Sequence, residues 1–182
     1  ASGRLGAPIT VTDVIVESSP TAPGWYWTPG LGGGVINLQS HHCFDRIGWL
    51  LGGDVAEVAA STWNLPSGSD TSAQILARYD HGTTAVISLA FGTAYADDPR
   101  TLFVVQCEQG MIQIDAERNL RITDAAGVTV SSFGDDDWLT REVEAFADGI
   151  ADPPSARPSV ADGCRALASA SAAAESARTR AG

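Results

Sequence analysis

The stretch GGGVINLQSHHCFDRIGWLLGG (residues 32–53) runs from three glycines through two adjacent histidines into an apolar segment. The apolar residues recur at helical spacing, at Phe44, Ile47, Leu50 and Leu51. This spacing predicts an amphipathic helix over about 40–51. Ser40 is a candidate N-cap, and Gly52 with Gly53 a candidate stop signal. His41 and His42 therefore fall in the first turn of a helix that follows a glycine-rich loop.

Strand-like segments lie on both sides of this helix. ITVTDVIVES (9–18) alternates as a half-buried strand does, and a loop with Trp25, Tyr26 and Trp27 connects it to the glycines. Seven further candidates follow the helix, in DVAEVAASTWN, SAQILARY, TAVISLAFGTA, TLFVVQC, MIQID, LRIT and VTVSS. Short turns such as DHGT and EQG separate most of them, which favours antiparallel pairing.

The last third of the chain predicts two helices. Asp135, Asp136 and Asp137 place negative charge at the start of the first, where the helix dipole favours it. We expect its apolar stripe to be buried, at Leu139, Val143, Phe146 and Ile150. Ser159 and Asp162 form an approximate capping box for a final helix to about residue 178, whose alanines and serines suit close packing. The predicted class is α+β: an open, largely antiparallel sheet with helices on one face.

Composition limits the classes of function. A net charge of −11 and a pI near 4.4 argue against binding to nucleic acid or to anionic membranes. No apolar run reaches the ~18–20 residues that a membrane span needs. The three cysteines, an odd number without close pairing, fit reduced thiols in a cytoplasmic protein. The chain has no lysine, so a lysine-dependent step cannot be completed within these residues.

The glycine run does not match the dinucleotide-binding fingerprint, because Val35 stands at its third glycine position and no strand precedes it. We expect these glycines to allow a close backbone approach or a sharp turn. We also expect no metal site at the histidines. Adjacent helical residues point about 100° apart, and His42 with Asp45 supplies only two ligands.

His42 is a candidate general acid or base, because a histidine near a helix start titrates near neutrality. Asp45, one turn on, either orients its ring or forms part of the helix surface. The alternative is that His42 is a packing or surface histidine. For the three aromatics of the loop, stacking on a sugar or cofactor and packing onto the sheet both remain open, with packing expected for at least one. His81, in a turn, is expected to be solvated.

The opening stretch resembles the Gly-Gly-Gly … His-x-x-Asp … Trp-Leu-x-Gly segment of the glucose–fructose oxidoreductase, inositol dehydrogenase and rhizopine-catabolism (Gfo/Idh/MocA) family. SAQILARYDHGTTAVIS, VQCEQGMIQID and the two closing helices are similar to later parts of the same family pattern. The resemblance implies that residues 1–182 form the C-terminal substrate-binding and oligomerisation domain. It also implies that the Rossmann domain, which binds NAD or NADP in the family, is absent from this chain and that the chain itself holds no cofactor.

Carried over from the family, His42 matches the histidine that handles the proton of the reacting hydroxyl, and Asp45 matches the acid that follows. Substrate contacts are expected from Trp25, Trp27, Asn37 and Gln39. Leu38 departs from the pattern, because many members have Asp or Asn at this position. Either Asn37 or Gln39 replaces it through a local shift, or the substrate and mechanism differ, or the chain is a non-catalytic member.

The resemblance therefore implies a domain of an NAD(P)-dependent oxidoreductase that acts on a sugar, polyol or related hydroxyl compound. Two alternatives stay open: a non-catalytic dimerisation or ligand-sensing module, and a domain of an NAD-dependent glycosidase. Because the strands are apolar on more than one face, we also expect self-association through the open face of the sheet.

Overall fold

The computed structural model describes residues 3–17, 23–28, 30–64, 69–91, 100–133, 137–151 and 158–180. The strands are β1 (Pro8–Glu17), β2 (Val55–Asn64), β3 (Asp70–Tyr79), β4 (Thr84–Phe91), β5 (Arg100–Cys107), β6 (Gly110–Asp115), β7 (Asn119–Asp124) and β8 (Gly127–Ser132). The helices are α1 (His41–Leu51), α2 (Trp138–Ala151) and α3 (Val160–Arg180). None of these helices is long and apolar enough to cross a membrane.

The eight strands form one sheet in the order β2-β3-β4-β1-β5-β6-β7-β8. Every neighbouring pair is antiparallel except β1 and β4, which run parallel. Sequence-adjacent strands pair as the short turns predict, and β1 is inserted between β4 and β5. The predicted α+β class with a largely antiparallel sheet is confirmed.

Alternation along the central strands separates a covered face of the sheet from an open one. On β1, Val11, Asp13 and Ile15 are buried, whereas Thr12 and Val14 point to the other face and are only half-buried. β3 and β4 alternate in the same way, with Leu76 and Val86 exposed on the open face.

Helices α1 and α3 cover the buried face. Cys43, Phe44 and Ile47 make up the inner side of α1. The inner side of α3 consists of small residues spaced four, three and four apart, namely Ala166, Ala170, Ala173 and Ala177. Small side chains let α3 lie close to β2 and α1. The predicted capping box is confirmed: the Asp162 carboxylate accepts from the Ser159 amide at 2.7 Å, and the Asp162 amide donates to the Ser159 hydroxyl at 3.3 Å.

Ser40 is not an N-cap, and that prediction is wrong. A π-helical turn (Ile36–Ser40) precedes α1, so Ser40 already has helical dihedral angles and its hydroxyl donates to the carbonyl of Ile36 at 2.6 Å. The capping carboxylate is that of Asp70 on β3, which accepts from the amide of Ile36 at 2.9 Å. The other end is as predicted, because Gly52 ends α1 with a φ of +74°.

The expectation of a buried stripe on α2 is also wrong. Its apolar side chains are 54–71% exposed, namely those of Trp138, Leu139, Val143, Phe146 and Ile150. Helical periodicity shows that a helix has an apolar side, but it does not show what that side contacts. Asp137 bonds to the amide and hydroxyl of Thr140 at the start of α2, and Asp135 and Asp136 lie outside the described residues.

A pair of matched substitutions tests this difference between helices. Phe44→Ala on α1, where the ring is 4% exposed, should lower the free energy of unfolding by about 3–5 kcal/mol. Phe146→Ala on α2, where the ring is 71% exposed, should change it by no more than about 0.5 kcal/mol. Urea denaturation followed by circular dichroism measures both. Equal losses would show that the α2 stripe is covered in solution.

Candidate functional site

The candidate residues gather where the parallel strands β1 and β4 end. Glu17, the last residue of β1, accepts a hydrogen bond from the Gln39 amide at 3.0 Å. Phe91, the last residue of β4, packs edge-on against Tyr26 and Trp27, with ring centroids 6.2 Å apart in each case. The aromatic loop, the glycine run and the start of α1 therefore meet at one edge of the sheet.

The glycines serve close backbone approach, as expected. The amide of Gly34 donates to the carbonyl of Tyr26 at 2.9 Å, and a β-carbon on Gly33 would overlap the carbonyls of Trp25 and Tyr26. A β-carbon on Gly34 would overlap the Asp70 carboxylate, which already caps this helix start. A phosphate would have to compete with that carboxylate, so the residues present do not fit a dinucleotide.

His41 and His42 stand side by side at the start of α1, with ring centroids 4.0 Å apart. The Nδ1–H of His41 donates to the carbonyl of Asn37 at 3.1 Å, which fixes that ring. His42 is exposed. Its pKa is lowered, first by partial desolvation of the ring and then by the charges of His41 and Arg46, against an opposing effect of Asp45. A lowered pKa keeps the His42 imidazole neutral near pH 7, as a proton acceptor requires.

Asp45 acts on His42 through its charge, and within the described part of the chain no hydrogen bond joins the two side chains. Asp45 instead lines a cleft of about 530 Å³ between α1 and α3. Exposed Trp49 lies at the same cleft, and Asp54, Asp162 and Arg165 contribute its charged groups. Arg165 pairs with both Asp54 and Asp162, so a single positive charge faces two carboxylates and the cleft keeps a net negative charge.

The π-helical turn determines where Asn37, Leu38 and Gln39 lie. Leu38 packs against the core, which accounts for an apolar residue at this position. Asn37 is exposed, and its side-chain amide donates to the carbonyl of Gly33 at 3.2 Å. A π-helical turn holds one residue more than an α-helical one, so it shifts the positions that face outward. Asn37 therefore lies on the exposed side of the turn and bonds to His41 through its backbone carbonyl, whereas Gln39 is half-buried and bonds to Glu17.

The aromatic loop divides its side chains between packing and exposure. Tyr26 and Trp27 pack against Phe91, so at least one aromatic packs, as expected. Trp25 lies against Tyr26 with centroids 4.4 Å apart and keeps 44% of its surface exposed. His81 is exposed, and its Nε2–H donates to the carbonyl of Gly52 at 3.1 Å, which ties the β3–β4 turn to the end of α1.

One partly buried ion pair beneath the site was not predicted. Arg46 of α1 donates to both carboxylate oxygens of Asp13, a fully buried residue in the middle of β1. The signal in the sequence is an aspartate in a row that otherwise reads Val11 and Ile15, since a buried carboxylate needs a partner. Cys43 lies beside the pair, and burial, followed by the charge of Asp13, raises the pKa of its thiol. Cys43 is therefore unsuited to nucleophilic chemistry.

Metal ligation has no geometric basis in the described ranges, where no group of three or more His, Cys, Asp or Glu side chains is arranged around a common point.

Three solved structures show how this fold relates to known proteins. An oxidoreductase from Agrobacterium radiobacter, in complex with NAD⁺, L-tartaric acid and magnesium, matches with 22% identity and a TM-score of 0.80, covering 97% of this chain and 56% of that one. A putative myo-inositol dehydrogenase from Sinorhizobium meliloti matches with 25% identity and a TM-score of 0.76, covering 98% and 57%. Levoglucosan dehydrogenase, in complex with NADH and L-sorbose, matches with 19% identity and a TM-score of 0.80, covering 97% and 58%.

The chain thus spans a little more than half the length of these proteins, and a comparison with curated proteins finds no match. The sequence profile of the GFO/IDH/MocA C-terminal domain matches residues 1–113, which include the glycine run, both histidines and strands β1 to β5. The chain therefore belongs to the GFO/IDH/MocA family.

Proposed function

We propose that this chain is the substrate-binding domain of an NAD(P)-dependent oxidoreductase that acts on a sugar, polyol or related hydroxyl compound. The observation that carries the proposal is the exposed His42, held at the start of α1 with its pKa lowered, in a domain of this family. Its solved neighbours include a complex with NAD⁺ and L-tartaric acid and one with NADH and L-sorbose. Both small molecules carry hydroxyl groups.

The role of His42 follows from the chemistry of a carbinol. Oxidation to a carbonyl removes a hydride from carbon and a proton from oxygen, and the proton needs an acceptor within hydrogen-bond reach. Neutral imidazole at His42 accepts that proton, and in the reverse direction the imidazolium returns it. Asp45 stabilises the imidazolium by its charge. The nicotinamide, when bound, supplies the hydride acceptor, and we assign its binding to a part of the protein outside these residues.

Substrate contacts are proposed at the edge of the sheet around His42. Trp25 offers a partly exposed indole face for a sugar ring, and Trp27 forms the side of the loop that packs on the sheet. The exposed amide of Asn37 supplies hydrogen bonds where Leu38 cannot. Gln39 contributes by holding the turn against Glu17, and a substrate hydroxyl could take over one of its amide protons.

The apolar stripe of α2 supports a further contact with the cofactor-binding part. Five large apolar side chains on one helix would be costly to leave in water, and about two fifths of the length of each of these three neighbours lies outside the match. NAD and NADP cannot be distinguished from these residues, since none of them is assigned to the nucleotide.

A non-catalytic dimerisation or ligand-sensing module is the second candidate, and Leu38 favours it. A leucine packed against the core neither relays a proton nor binds a hydroxyl group.

The adjacent histidines can be compared in the intact oxidoreductase. His42→Asn should lower the turnover of the hydride step by ~10² to 10⁴-fold, because the proton acceptor is lost. His41→Asn is the matched control and should lower it far less, because the His41 ring is fixed by the Asn37 carbonyl. Single-turnover kinetics with a hydroxyl substrate measures both. Turnover within about threefold of wild type for His42→Asn would favour the non-catalytic module.

The pKa of His42 should set the pH dependence of the oxidation. The neutral form of His42 is the active one for oxidation, so the rate falls as pH drops through its pKa. Because that pKa is lowered, kcat/KM should reach half its plateau below pH 6.5, the ordinary value for histidine. A midpoint above 6.5 would contradict the assignment, and His42→Asn should remove this acidic limb.

We expect the chain to self-associate through the open face of the sheet. Trp63, Leu76 and Val86 are exposed there, and a two-fold contact would bury the same patch on both copies. Light scattering at micromolar concentration should give about twice 18.9 kDa or more. Leu76→Glu should return the mass to that of one chain. Leu167→Glu, equally exposed but on α3, should not, and a wild-type mass near 19 kDa would refute the proposal.

A further inference from the structure

The central strand β1 carries a charge where its neighbours are apolar. Asp13 lies on the covered face between Val11 and Ile15, and all three are buried. Taking a carboxylate out of water is costly unless a partner satisfies it with good geometry. Because the sheet fixes the position of Asp13, a side chain that pairs with this carboxylate is fixed as well.

Arg46 of α1 is that partner. Its Nε–H donates to Oδ2 of Asp13 at 2.7 Å, and an Nη2 proton donates to Oδ1, so the guanidinium is bound in two places. The guanidinium carbon also lies 5.4 Å from the ring centroid of Phe103, which is the cross-strand neighbour of Asp13 on β5. Two adjacent strands thus determine both the position and the plane of this side chain.

Arg46 follows His42 by four residues, so the two lie one above the other on the same side of the helix. The buried side chains of α1 are those of Cys43, Phe44 and Ile47, and apolar contact does not specify direction. We propose that the Asp13–Arg46 ion pair is a positioning device that fixes how the first turn of α1, and with it His42, lies on the sheet. The inference rests on the proposed function only where it treats His42 as the proton acceptor.

The same pair sets the charge near His42. The groups that act on its ring are His41, Asp45 and Arg46 of α1; across the interface, Arg46 faces Asp13 of β1 and contacts Cys43. Glu17, at the end of β1, reaches the preceding turn through Gln39. Arg46 helps to lower the pKa of His42. Because Arg46 is paired with Asp13, we expect the Asp13 carboxylate to offset part of that positive charge. Removing one partner or the other should therefore move the titration of His42 in opposite directions.

Nuclear magnetic resonance titration of the full 182-residue chain tests this, because the chain has only three histidines to assign. Arg46→Met removes the cation and should raise the pKa of His42. Asp13→Asn leaves the cation uncompensated and should lower it. Arg46→Lys keeps the charge and should leave the pKa near that of wild type.

Positioning is measured separately, by amide hydrogen exchange along α1. Arg46→Lys and the double variant Asp13→Asn/Arg46→Met should both speed exchange over residues 41–47 relative to α3, because both lose the two-point contact. The double variant leaves no unpaired buried charge, so it should fold even where a single variant does not.

Arg78→Met is the matched control. Arg78 also holds a carboxylate through two nitrogens, that of Glu57, but the pair is exposed and lies on the open face. This variant should change neither the His42 titration nor the exchange of α1.

Two results would overturn the proposal: His42 titration that shifts the same way, or not at all, in Arg46→Met and Asp13→Asn, and unchanged α1 exchange in the double variant. Neither readout depends on catalysis. If His42→Asn leaves turnover unchanged while these shifts occur, the proposed function fails and the positioning role stands.

Discussion

The parallel pairing of β1 with β4 is the constraint on which the candidate site depends. Antiparallel neighbours can be joined by a tight turn, but a parallel pair needs a long crossover. Here the crossover from β1 carries the aromatic loop, the glycine run and α1 before β2 and β3 bring the chain back to β4. Because β1 and β4 are parallel, their last residues lie side by side, and the aromatic loop that follows β1 lies next to the end of β4. Phe91 therefore contacts Tyr26 and Trp27.

Long-range polar contacts then fix the crossover against the sheet. Asp70, at the start of β3, caps the helical turn at Ile36 and fills the space that glycine leaves at Gly34. Arg46, ten residues after Ile36, donates a hydrogen bond to Asp13 of β1. Together the two carboxylates fix α1 just before and just after the histidines, whereas the apolar contacts of Phe44 and Ile47 hold it down. Direction comes from the polar contacts, and most of the burial comes from the apolar ones.

The sequence predicts the features whose cause is local, and it misses those whose cause is distant. The capping box of Ser159 with Asp162 and the stop at Gly52 depend on residues within one turn, and both were predicted. The cap of α1 was assigned to Ser40, because the carboxylate that makes it stands thirty-four residues away. Strand periodicity and short turns likewise predict the antiparallel pairing of successive strands within β2–β4 and within β5–β8, but they contain no information on where β1 is inserted. For α2, periodicity predicts the helix but does not predict which surface its apolar side contacts.

The paired histidines show the same difference between what local spacing predicts and what the surrounding structure determines. Adjacent helical positions point about 100° apart, yet the rings of His41 and His42 lie with their centroids 4.0 Å apart, and the two histidines differ in their hydrogen bonds and exposure. The difference between them comes from the turn before: Asn37 occupies the Nδ1 of His41, and His42 stays exposed. Partial desolvation of its ring, followed by the charges of His41 and Arg46, lowers the pKa of His42. Near pH 7 His42 is therefore the neutral imidazole, as a proton acceptor requires, while the ring of His41 is fixed by its hydrogen bond to the Asn37 carbonyl.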